Sequence, residues 1–479
     1  MVSGVFISSL LLFAGDPTDT LSSNTLFGEE VRQVAPLTEL QLQQRADDFQ
    51  KLLDEKGLVQ IGDQVRPGTK EGGFTQPPDP MFDWTTPPHR NTIFLNFFGA
   101  SMSPGTNAAL NESPCLSGPL EYPGFGGTEA QAIALIEVFE RLMEPYGIRI
   151  AYDEVPPPEL PYAMVMMGGS PGILGLGNGV LGVSCSSDCG DMWWRDATFA
   201  FTDAINPNNS ATLGTTALHE AAHAFGLAHI GDPSKVMNPF VGSANVTWAP
   251  TCVPYDDATG GINCQATHDE FCDGGAQNTD AELMAYFGAN SPDMEAPTVA
   301  ITTPADGVEV PTGGTVTIEV DVEDNHEGVG WKLVVDDGSQ VQESVSFTFQ
   351  RRWDLSNLAA GTYTARVEAL DHDRNVGFDE VTIYVGVDAP ETTGGDDGSS
   401  GASDSDSGSD SDSDSGTSGS GSGSDSDDSD SSTPSGSDTD GQATQDSSDD
   451  GGCSTAPRGT FGLGALMMLG FGLVRRRRD

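Results

Sequence analysis

Three of the chain's seven histidines fall inside one short segment, LHEAAHAFGLAHIGDPSKVMNP, residues 218–239. His219 and His223 are four residues apart, so on a helix they project from one face and can share a cation. Gly226 follows three residues later, where a left-handed residue can end the helix and turn the chain sharply. His229 then folds back as a third imidazole. Three neutral nitrogens with one open position make the tetrahedral zinc site used for hydrolysis rather than a closed structural one. Glu220 stands beside the first ligand, where it can take a proton from a water whose pKa zinc lowers to about 7. The expected metal ligands are therefore His219, His223 and His229, with Glu220 as the catalytic base.

The surrounding sequence asks for an α+β domain. NTIFLNFFG, GIRIAYDEV, YAMVMMGG and ATFAFTDAI read as strands, and TEAQAIALIEVFERLMEPYG, the segment from about Ser210 to Phe225 and TDAELMAYFG read as helices. Strands alternating with helices imply a mixed sheet covered by helices, over residues 91–292. From residue 296 to 388 the pattern changes to short period-two runs broken by Gly, Asp and Pro, the spacing of a β-sandwich. His326 and His372 fall in loops of that sandwich and are expected at the surface.

The pattern HExxHxxGxxH followed by a methionine resembles the metzincin metalloproteases. The eight residues from His229 to Met237, with Pro233 and Pro239 around it, are most similar to the matrixin branch. That resemblance implies a twisted mixed sheet with an active-site helix. It also implies Met237 as an apolar floor under the imidazoles, and no fifth protein ligand, since Asn238-Pro239 follows the methionine. Two departures matter. No cysteine occurs in residues 16–90, so the thiol latency switch of that branch is missing. Some metzincins cover zinc with a pro-segment aspartate instead, and Asp79 and Asp83 are the expected candidates. The stretch 241–277 is also rich in cysteine and acid; His268 there is expected to be structural or rim-lining. PTVAITTPADG and LAAGTYTARVEALDHDRN resemble bacterial Ig-like domains, which implies a fold and says little about a ligand.

The flanks imply export. The apolar run from Val5 to Ala14 fits a signal peptide core over residues 1–15, although no Lys or Arg precedes it. Residues 16–90 read as a pro-segment and linker, with one clear helix ended by Gly57. Cys115, Cys185, Cys189, Cys252, Cys264 and Cys272 cluster as an exported domain's three disulfides would, with their connectivity open. Residues 389–452 are a Ser/Asp/Gly tract expected to be a disordered spacer. Asp-rich runs can hold calcium loosely, a secondary cofactor expectation beside zinc. Residues 453–479 carry an apolar run, Gly459 to Val474, of roughly 24 Å as a helix, short for a bilayer. Four arginines follow it. The arrangement resembles myxobacterial C-terminal sorting signals, which single out Cys453 as the processing point; a plain transmembrane tail anchor is the competing reading.

The net charge of -51 excludes a nucleic-acid partner, because the chain would be repelled by phosphate. The sequence thus points to a monomeric, secreted or surface-attached endopeptidase acting on extracellular proteins or peptides. Two alternatives stand beside it. One is a surface adhesin whose Ig-like domain binds a partner and whose zinc is structural. The other is a zinc hydrolase acting on non-peptide bonds.

Overall fold

The computed structural model describes residues 24–68, 88–185, 189, 196–205, 209–240, 245–256, 262, 264–347 and 349–390. The expected signal peptide, the Ser/Asp/Gly tract, the C-terminal segment with Cys453, and both Asp79 and Asp83 lie outside the described residues.

The first lobe is built on a five-stranded sheet in the order Gly182–Val183, Ala197–Ala200, Ala163–Met167, Asn91–Asn96, Ile148–Ala151. All neighbours are parallel except the edge strand Gly182–Val183, which runs antiparallel to Ala197–Ala200. Asn91–Asn96 and Ala163–Met167 are buried along their whole length, as strands covered on both faces must be. One face is covered by two helices. Glu129–Met143 starts at a capping box in which Thr128 and Gln131 satisfy each other's backbone N–H groups. Its Leu135, Ile136, Phe139 and Leu142 meet the second helix, Ser210–Phe225, which is buried from Leu213 to its end. A continuously buried helix fixes the direction of every side chain on it, the two histidines included.

Residues 24–67, within the stretch expected to be pro-segment and linker, are folded against the lobe. Leu26 and Val31, on a hairpin of Asn24–Leu26 with Glu29–Val31, enter the same hydrophobic core as the two helices. Helix Glu39–Lys56 begins at a Thr38/Gln41 capping box and ends at Gly57, whose φ of 65° is left-handed, a conformation open to glycine at little cost. A second hairpin, Leu58–Ile61 with Gln64–Pro67, follows at once. Its outer strand lies parallel to the sheet edge at Ser184, where Val65 N–H donates to Ser184 O (3.1 Å) and Ser184 N–H donates to Asp63 O (3.0 Å).

The second lobe is a sandwich of a three-stranded sheet facing a five-stranded one, with Trp331, Ile318, Val367 and Ile383 in its core. It packs directly on the first. Buried Arg90 pairs with Asp373 at 3.0 Å, and Thr92 Oγ1 lies 2.9 Å from His372 Nδ1. Among the described residues no helix is long and apolar enough to cross a membrane.

Candidate metal centre

Helix Ser210–Phe225 presents His219 and His223 one turn apart, and Gly226, with φ of 111°, ends it. A Cβ at Gly226 would come within 2.9 Å of Cys264 Sγ, so the turn needs glycine for space as well as for conformation. The reversed chain returns His229. The three Nε2 atoms converge: His219 and His229 are 3.1 Å apart, His223 and His229 3.0 Å. Nitrogens about 2.0–2.1 Å from a shared zinc would be roughly 3.3 Å from one another at tetrahedral angles, so the donor set fits that ion. Backbone carbonyls set the tautomers. His219 Nδ1 lies 2.8 Å from Val236 O and His223 Nδ1 2.7 Å from Leu227 O. An N–H at each Nδ1 leaves Nε2 as the metal-facing lone pair. Burial, then the charges of His219 and His229, push the pKa of His223 well below its ordinary value, toward the neutral ligand form.

The fourth side of the cluster is taken by a residue the sequence did not single out. Asp63, at the tip of the 58–67 hairpin, places its carboxylate 3.4 Å from His219 Nε2, 3.2 Å from His229 Nε2 and 3.8 Å from His223 Nε2. All four donors fall within 4.8 Å of one another. Burial opposes the Asp63 charge, but the imidazoles of His219 and His229 against it hold its pKa well below the usual carboxylate range. The expected carboxylates Asp79 and Asp83 are outside the described residues; the one at the histidines comes from earlier in the chain. A signal was available in IGDQV, a Gly-Asp turn between two short β-prone runs, the pattern of a tight hairpin.

Glu220 is fully buried, and among the described residues its Oε2 has no hydrogen-bond partner. Burial first, then the Asp63 charge, raises its pKa well above the ordinary value, and Arg66 pulls it back. His219, His229, Glu220 and Asp63 line a cavity of about 380 Å³ whose mouth carries exposed Phe240. Met237 is completely buried in the core beneath the cluster's loop, and its carbonyl accepts from Ile230 N–H at 3.0 Å.

His268 proves structural. It is fully buried with Nδ1 2.9 Å from Glu282 Oε2; Gln277 donates to the same carboxylate (2.9 Å) and accepts from Ala228 N–H (3.1 Å), next to His229. The surface expectation fails for His372, which is buried against Thr92 because the lobes pack together there, while His326 is partly buried on Asp293. A second carboxylate group, Asp293, Asp324 and Asp371, gathers at the base of the sandwich. The six clustered cysteines pair as 115–185, 189–264 and 252–272. The first ties down the chain just past the sheet edge, and the second lies against Gly226.

Residues 297–367 match a family of bacterial Ig domains. No curated protein matches the chain. Among solved structures, it is similar to fibronectin(III)-like modules of CbhA from Clostridium thermocellum, at 19% identity and TM-score 0.16, over 18% of this chain and 94% of that one. It is also similar to the PKD domain of human KIAA0319, at 16% identity and TM-score 0.16, over 22% of this chain and 94% of that one. The extracellular domain of the putative hybrid two component system BT3049 from B. thetaiotaomicron shares 18% identity at TM-score 0.18, over 23% of this chain and 17% of that one. Scores this low support no argument about this chain. The Ig domain and three disulfides are consistent with an extracellular or surface protein.

Proposed function

We propose that this chain is the precursor of a secreted or surface-attached, zinc-dependent endopeptidase with a metzincin-like catalytic lobe. The carrying observation is the convergence of His219 Nε2 and His223 Nε2 within 3.1 Å of His229 Nε2, beside buried Glu220 on the same cavity wall, whose Oε2 has no hydrogen-bond partner among the described residues. His219, His223 and His229 would hold zinc, which when bound supplies Lewis-acid activation of water and of the scissile carbonyl. Glu220 then accepts the proton of the attacking water at its carboxylate and passes it to the departing amine. The protein or peptide substrate would lie along the edge strand Gly182–Val183, where an extended chain can add to the sheet once the 58–67 hairpin paired at Ser184 is displaced.

The test is cleavage of a broad peptide library by the mature protein and its Glu220→Ala variant at matched zinc content. Hydrolysis should fall by roughly 10²- to 10⁴-fold with zinc retained. Equal rates would remove Glu220 from the mechanism. Zinc bound without cleavage by either protein would favour the adhesin reading, in which the Ig domain at 297–367 carries the function.

A further inference from the structure

His219 and His223 are aimed by carbonyls of their own segment, at Val236 and Leu227. The chain that returns His229 is gripped from outside, by the cysteine-rich stretch 252–282. The His229 carbonyl accepts from Asp256 N–H (3.1 Å), Gly231 N–H donates to Pro254 O (2.9 Å), and Ile230 pairs with Tyr255. On the other side of His229, buried Ala228 donates its N–H to Gln277 Oε1 at 3.1 Å. Gln277 lies on a ribbon of Val253–Pro254 with Ala276–Gln277 and is completely buried. Its Nε2 donates to Glu282 Oε2 (2.9 Å), and His268 Nδ1 lies 2.9 Å from the same oxygen. An ionised carboxylate accepts and cannot donate, so it takes the nitrogen end of the amide and leaves the oxygen end for Ala228. The disulfides Cys189–Cys264 and Cys252–Cys272 tie this stretch down.

We propose that Gln277, oriented by Glu282, is a positioning residue for the third zinc ligand, His229; the proposal rests on the zinc reading above. Helical period sets the spacing of His219 and His223, whose helix is buried from Leu213 to its end. His229 has no such scaffold. It follows the left-handed turn at Gly226, so the place of its imidazole depends on what holds the returning chain. Without Gln277 the buried Ala228 N–H would lose its partner, and a buried donor left unpaired is costly. The loop can relieve that cost by shifting, and a shift carries His229 Nε2 away from the point where it lies 3.1 Å and 3.0 Å from the other two nitrogens. The cysteine-rich stretch is then part of the metal site although it contributes no ligand.

The experiment uses the full-length chain as wild type, Gln277→Met, the exchange of Gln277→Glu with Glu282→Gln, and Asn278→Ala. Methionine keeps the bulk and removes the acceptor. The exchange keeps an acceptor toward Ala228 and a donor opposite it. Asn278→Ala removes the side-chain cap of helix Thr279–Phe287, weakening the same region without touching Ala228. Zinc affinity is measured by competition with a chromogenic chelator, and Co2+-loaded protein by visible absorption, which follows coordination geometry. Affinity should fall about 10- to 100-fold in Gln277→Met, the usual effect of losing a group that supports a ligand, and its Co2+ spectrum should change. The exchange should restore both readings toward wild type. Asn278→Ala should unfold more readily yet keep both. Wild-type affinity and spectrum in Gln277→Met would overturn the inference and leave the zinc reading standing. An equal loss in Asn278→Ala would trace the effect to the stability of the helix and overturn the inference too. A loss in the exchange as large as in Gln277→Met would overturn the anchoring by Glu282. Failure of the wild type to bind either metal would instead overturn the zinc reading, and this inference with it.

Discussion

Gly182 is packed against Glu220 so closely that a Cβ built on it would stand 2.4 Å from Glu220 Oε1. The sheet edge and the candidate base are therefore a single fitted unit, since Glu220 is fixed on a buried helix and cannot retreat. Gly182→Ala should displace the carboxylate while leaving the histidines in place. Zinc content should stay at wild-type level, and peptide hydrolysis by the mature protein should drop by up to about 10²-fold. Unchanged turnover would show that the edge strand gives way instead.

Removing a ligand should act differently. His223 is held by Leu227 O and lies 3.0 Å from His229, so His223→Ala opens the cluster itself. Metal analysis should find zinc lost and activity abolished together. Full zinc occupancy in that variant would mean that the ligand set is wrong.

The Cys115–Cys185 disulfide closes a 70-residue separation immediately after the edge strand. Chain-entropy arguments put its contribution at about 4 kcal/mol. The paired Cys115→Ser, Cys185→Ser variant should show that loss in denaturant unfolding. It should also lose more activity than a variant lacking Cys252–Cys272, which closes a 20-residue separation outside the strands of that sheet.

Arg90 anchors the junction between the lobes, with an 8% exposed side chain paired to Asp373, itself 34% exposed. Because Asp373 is partly solvated, Asp373→Ala should cost less than the about 3–5 kcal/mol of breaking a fully buried pair. Thermal unfolding should shift downward, and limited proteolysis should separate the two lobes more readily. An unchanged profile would mean that the hydrogen bonds from Arg90 Nη2 to Ser291 O and Oγ suffice to hold it.

Two groups give the fold opposing responses to acid. Burial and the neighbouring Asp371 charge raise the pKa of Asp324 to about 6. The stability it contributes is therefore complete below its unfolded pKa of about 3.9 and is lost as pH rises through about 6. Burial lowers the pKa of His89 to about 4. Its contribution is complete above about pH 6.5 and is lost as pH falls toward about 4. The two slopes offset each other between these limits. Asp324→Asn should raise the unfolding temperature at pH 7.5, have no effect near pH 4, and expose the His89 decline between them. A stabilisation that persisted at pH 4 would assign the gain to packing rather than charge.

The sequence alone determined the local parts of this protein. Histidines at positions 219 and 223, a glycine at 226 and a histidine at 229 specify a helix, its end and a return of the chain, because helical period and left-handed glycine are short-range properties. The capped helices and the alternating strands of the second lobe were legible for the same reason. Tertiary structure decided what meets them. Asp63 and His219 are far apart in sequence, and no spacing rule connects them; only the docking of a hairpin on the edge at Ser184 carries the carboxylate to the imidazoles. The same holds for His372 buried on Thr92 and for how the six clustered cysteines are connected. Each depends on contacts between distant segments, fixed by how whole faces bury against one another rather than by the residues next to them in the chain.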